Sequence, residues 1–153
     1  MAERTERSVL NHLITSCKDG ARGFRYAADH VNDTAVRALF KEMTSQRERF
    51  AGDLLPHAQR LGGATELDGT TAAALHRGWM TISNALTRNS DEAIIREVER
   101  GETGALGVYQ DALEGLLSQD ARDLIEQQLA EIRQCHDRIQ LLRFVDNMAN
   151  WIH

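Results

Sequence analysis

Polar and soft side chains interrupt the apolar seam of this chain at four places: Cys17, Gln46 with Arg47, Glu102, and Cys135 with His136. Each interruption lies near the midpoint of a segment whose apolar residues recur at helical spacing, so packing those segments side by side puts all four in one central layer. Glutamate, histidine and thiolate sulfur are metal ligands, whereas a guanidinium is a fixed positive charge that repels a cation. A buried, unpaired arginine is very costly, and Glu102 is the one carboxylate at the phase and level needed to pair with Arg47.

Three arrangements of this layer compete. In the first, Arg47, Glu102 and His136 close an ionic and hydrogen-bonded cluster with Gln46 and Gln128 beside it, and His136 either donates to Glu102 or fills space as a neutral acceptor. In the second, Glu102 and His136 bind Fe, Zn or Mn with help from Gln128, Gln46 or a cysteine. In the third, His136 is a satisfied core histidine and Arg47 carries its charged head outward. The guanidinium ranks the first arrangement above the second and makes no cofactor the leading expectation. Asp19 is also a mid-helix carboxylate, but its phase, roughly 150° from the stripe centre, places it outside. Cys135 and His136 make a poor thiolate–imidazole pair, because adjacent helical residues point about 100° apart.

The elements that must position these residues follow from apolar periodicity. A first helix, about residues 7 to 31, carries Leu10, Leu13, Ile14, Cys17, Phe24 and Ala28 on one stripe. Asn32-Asp33-Thr34 breaks it and caps a second, which carries Val36, Phe40, Met43, Phe50, Leu54 and Ala58 and stops at Gly62-Gly63. Pro56 projects away from that stripe and is expected to bend the helix near Gly52. A shorter helix over 70–87 places His76 and Trp79 on one face, either to pack it on the bundle or to form a lid over a side pocket. Asn89-Ser90-Asp91 opens a helix with Ile94, Val98, Ala105, Tyr109 and Ala112, and the last begins after Ser118 with Ile125, Leu129, Ile132 and Ile139. The 144–153 segment extends it and suits a dimer contact. Tight joints at 32–34 and 117–119 with one long connection between them describe an all-α, ferritin-like four-helix bundle: two antiparallel helical hairpins joined by a crossover containing a short helix.

Composition fits a single domain over 1–153, with its core at about 8–145. Of 153 residues, 42% are hydrophobic, 27% charged and 5% aromatic, and Pro56 is the sole proline, a mix that favours helix. The net charge of −5 argues against nucleic-acid binding. No apolar run approaches the ~20 residues of a membrane span, and the first residues do not read as a signal peptide. Two cysteines at core phases imply reduced thiols and a cytoplasmic location. Gly20, Gly23, Gly101, Gly104 and Gly107 stand inside helices, where they allow close helix approach, make room for Trp79 or Arg47, or line a ligand cavity beside the first and third long helices.

Six segments occur in an ordered and specific combination: Cys17-Lys18-Asp19-Gly20-Ala21-Arg22-Gly23-Phe24, Gln46-Arg47-Glu48-Arg49-Phe50-Ala51, Leu61-Gly62-Gly63, Leu75-His76-Arg77-Gly78-Trp79-Met80, Glu99-Arg100-Gly101-Glu102 and His136-Asp137-Arg138-Ile139. Together they resemble a bacterial family of small ferritin-like four-helix-bundle proteins catalogued as a domain of unknown function, over roughly residues 8 to 145. The resemblance implies the bundle and supplies no activity. Against the wider di-iron superfamily, which places a glutamate on two helices and Glu-x-x-His on the other two, the match is partial. Glu102 and His136 match ligand positions, but Arg133 stands where the Glu before His136 belongs, and the first two helices offer Cys17, Gln46 and Arg47. The expectation is therefore a non-catalytic structural, interaction or stress-associated protein, with a homodimer, higher homo-oligomer or protein partner. A metal-handling or redox protein and a small-ligand binder are the alternatives.

Overall fold

The computed structural model describes residues 5–62 and 90–152. Among them are four helices and no strand: α1 (Glu6–His30), α2 (Thr34–Arg60), α3 (Asp91–Leu113) and α4 (Gln119–Ile152). The boundaries have local causes. Thr5, Asp33 and Ser90 each turn a side-chain oxygen onto the backbone N–H three residues on, satisfying a donor that the first helical turn leaves free. Ser118 does the same for Ala121. At the end of α2, Gly62 takes φ 73°, the left-handed conformation in which a side chain would be strained, and its N–H returns to the Gln59 carbonyl. Pro56 lies inside α2 with its ring exposed, and the helix continues past it to Arg60.

The helices form a ring in which α1 contacts α2 and α3, and α4 contacts α2 and α3. Every neighbouring pair is antiparallel. At one end the Asp91 carboxylate accepts the backbone N–H groups of Asn32 and Asp33, both at 2.9 Å, tying the start of α3 to the end of α1. At the other end Glu6 accepts from the Ser118 N–H at 2.8 Å. Between α2 and α4, Arg49 pairs with Glu131 and Arg138 with Glu42, so the numbering runs in opposite directions. The two hairpins therefore place α2 and α3 parallel on a diagonal, with residues 62 and 90 at opposite ends of the bundle. The expected 70–87 helix, with His76 and Trp79, lies outside the described residues.

Two apolar clusters fill the interior. One contains Leu10, Leu13, Phe50, Leu54, Ile125 and Ile132; the other contains Phe24, Phe40, Met43, Ile94, Val98 and Ile139. The division falls in the middle of the helices, between Met43 and Phe50 on α2 and between Val98 and Ala105 on α3. Arg47 and Glu102 stand in those gaps. The core is split where the chain buries charge.

Candidate functional site

Arg47 and Glu102 are 2% and 1% exposed and meet across the diagonal of the bundle. Arg47 Nη2 donates to both carboxylate oxygens, at 2.5 Å to Oε1 and 2.6 Å to Oε2, short distances that mark a charge-assisted bond. Arg47 Nε donates to Gln46 Oε1 at 3.3 Å, and the guanidinium carbon lies 5.1 Å from the centre of the Phe24 ring. Burial pushes the Glu102 carboxyl up, while Arg47 and, more weakly, His136 pull it back. Gly20 eases this arrangement: a Cβ there would stand 3.3 Å from Arg47 Nη1, and the guanidinium would have to shift by a few tenths of an ångström. The bulk of Arg47 thus favours one of the costly helical glycines.

The other anticipated members divide. Gln46 joins the pair and reaches onward, its Nε2 donating to Cys135 Sγ at 3.3 Å. His136 sits at the rim. Its Nε2 is 3.2 Å from Thr103 Oγ1, and among the described residues its hydrogen-bond partner is that hydroxyl rather than Glu102. Gln128 is buried but belongs to another chain of bonds, not to the arginine cluster. The Tyr109 hydroxyl donates to Gln128 Oε1 at 2.7 Å, and Gln128 Nε2 donates to the Phe50 carbonyl at 3.3 Å. With its proton committed to Gln128, the phenol oxygen accepts from the Cys17 thiol, 3.0 Å away. Tyr109 is the residue that sequence reasoning overlooked as polar: its phase is central, but a tyrosine on an apolar stripe reads as packing. Burial raises both cysteine thiols and the Tyr109 phenol, so these groups stay protonated and the thiols are poor nucleophiles.

Asp19 departs from expectation. It is half-buried and lines a cavity of about 320 Å³ between α1 and α3, whose buried wall is the Arg47–Glu102 pair. Burial pushes its carboxyl from the ordinary 3.8 up to about 6, with Arg22 pulling the other way. Between those pH values the folded protein holds a proton that the unfolded chain has lost, so stability falls as pH rises through the window. The full gap would amount to roughly 3 kcal/mol, and partial exposure reduces it to about 1 kcal/mol. Asp19→Asn should therefore stabilise the protein by about 1 kcal/mol above pH 6 and by almost nothing near pH 4. Urea denaturation at the two pH values checks this, and an equal effect at both would show that the carboxyl is not held up by burial.

Among the described residues no three His, Cys, Asp or Glu side chains converge as a ligand set, and both oxygens of Glu102 already accept from a guanidinium. No described helix is long and apolar enough to cross a membrane.

Fold and site together define a four-helix bundle with a charged pair buried at its centre. The chain belongs to the family described as Domain of unknown function (DUF2383), which matches residues 5–115. That span contains α1, α2 and α3, and so both partners of the ion pair; α4, with Gln128, Cys135 and His136, follows it. No curated protein matches the chain.

Proposed function

We propose that the protein is a ferritin-like bundle, its hairpins joined by a crossover, in which the Arg47 guanidinium takes the electrostatic place that metal ions hold in di-iron proteins. Its role is then non-catalytic: a structural or interaction protein, associated with stress, working through its surface as a homodimer or higher homo-oligomer or with a protein partner. The observation that supports this reading is the pair of bonds from Arg47 Nη2 to both oxygens of Glu102. The carboxylate best placed to ligate a metal is committed to a cation that the protein itself supplies. His136, the other candidate ligand, is turned to Thr103.

Elemental mass spectrometry tests the reading on tag-free protein that has been purified without chelator, incubated with Fe(II) and Zn(II), and dialysed. Metal well below one equivalent per chain is expected for the parent. Arg47→Met, which removes the repelling charge and frees Glu102, is expected to bind more tightly than the parent. A stoichiometric metal in the parent, lost in Glu102→Ala and His136→Ala, would replace this reading with a metal-handling one.

A further inference from the structure

The cavity between α1 and α3 is distinct from the ion pair that walls it. Ser16, Asp19, Gly20 and Gly23 recur at helical spacing on one side, and Gly101 and Gly104 stand on the other. A Cβ at Gly101 or Gly104 would meet no described atom within 4 Å. These glycines therefore serve no close approach of the described helices, although each costs α3 stability relative to alanine. At about 320 Å³ the space lies at the lower end of the range for small-molecule sites.

The lining has a defined chemistry. Phe24, Val98 and Val108 give it an apolar wall. Glu102 is neutralised by Arg47, which leaves Asp19 and Glu97 as the other carboxylates lining it. Glu97 Oε2 is buried with no hydrogen-bond partner among the described residues; Arg100 Nη1 stands 3.5 Å away without hydrogen-bond geometry. Arg100 also lines the cavity, 3.5 Å from Glu97 Oε2, but it is exposed, as is Arg22, and solvent screens both. The lining is thus mostly apolar with carboxylate oxygens set into it, in a cavity that opens to solvent at Gly101 and Gly104. Partly desolvated carboxylates beside an apolar wall are a setting that holds a compact N–H cation.

We propose that this cavity binds a small organic ammonium ion, its nitrogen held by Asp19 and Glu97 and its apolar body lying against Phe24, Val98 and Val108. The inference goes beyond the structural reading of the ion pair and stands whether or not a metal binds. It also accounts for Asp19, a carboxylate kept half-buried at a cost in stability. Such a cost is characteristic of residues retained for a binding role.

Isothermal titration calorimetry on the full chain at about pH 8 tests it, with benzylamine as the probe and benzyl alcohol as its uncharged counterpart. Saturable one-to-one binding of benzylamine is expected, with benzyl alcohol and the Asp19→Asn variant each weaker by about tenfold or more. Gly104→Leu should fill the cavity and abolish binding while circular dichroism shows the helices retained. Should that variant fail to fold, Asp19→Asn, expected to be at least as stable as the parent, still decides the matter. Equal binding of amine and alcohol, binding unchanged in Asp19→Asn, or no binding of benzylamine or n-butylamine by the parent would each overturn the proposal.

Discussion

Arg47→Met or Glu102→Leu alone is expected to cost about 3–5 kcal/mol, and the two together far less. Each single change leaves one charge in a layer that is 1–2% exposed, where water cannot replace the lost partner. The double change leaves two apolar chains of similar volume between two apolar clusters that already flank the site. For a chain of this size the single losses correspond to a drop in melting temperature of about 10 °C or more.

The two single variants should also differ in pH dependence. Without Arg47, burial raises the Glu102 carboxyl further, so the folded form takes up a proton at a higher pH than the unfolded chain does. The penalty of Arg47→Met is then full at neutral pH and shrinks as pH falls. The penalty of Glu102→Leu has no such relief, because the guanidinium cannot be deprotonated. Urea melts of the four proteins of the cycle at two pH values measure both effects. If both single losses stay under about 1 kcal/mol, the pair is not the central electrostatic element of the core.

The second large effect belongs to the hydrogen-bonded chain through Tyr109. Tyr109→Phe leaves Gln128 Oε1 without its donor and the Cys17 thiol without its acceptor, in a region where all three side chains are buried. A loss of about 1–3 kcal/mol is expected. Gln128→Leu should cost a similar amount, since it orphans the Tyr109 hydroxyl and removes the donor to the Phe50 carbonyl. Combining the changes removes both members of the mismatched pair, so the double loss should fall below the sum of the singles. The denaturant midpoint reports these losses, with an unchanged slope showing that the folded and unfolded states remain comparable. Additive losses would mean that the two residues act independently.

Much of this arrangement was legible in the chain. Apolar recurrence placed α1 to α4, and Asp33, Ser90 and Ser118 marked three of their starts, because capping is local chemistry between a side chain and a backbone three residues away. The inward phases of Arg47 and Glu102, and the need for each to have the other, also followed from helix geometry and the cost of buried charge.

Tertiary structure decided the rest. Gln128 is buried on α4 and His136 lies at the rim of the same helix, and one bonds Tyr109 while the other bonds Thr103. Phase specifies a direction around a helix, whereas the axial offset and tilt between helices specify which side chain on the facing helix lies within 3 Å or so of it. Those offsets come from packing and loop lengths, not from periodicity. The same limit explains Asp19. It lies far from the centre of the main apolar stripe, but α1 packs against both α2 and α3, and two neighbours bury a wider arc of a helix than one. With glycines where α3 would otherwise project side chains, that wider arc becomes a cavity rather than a packed seam.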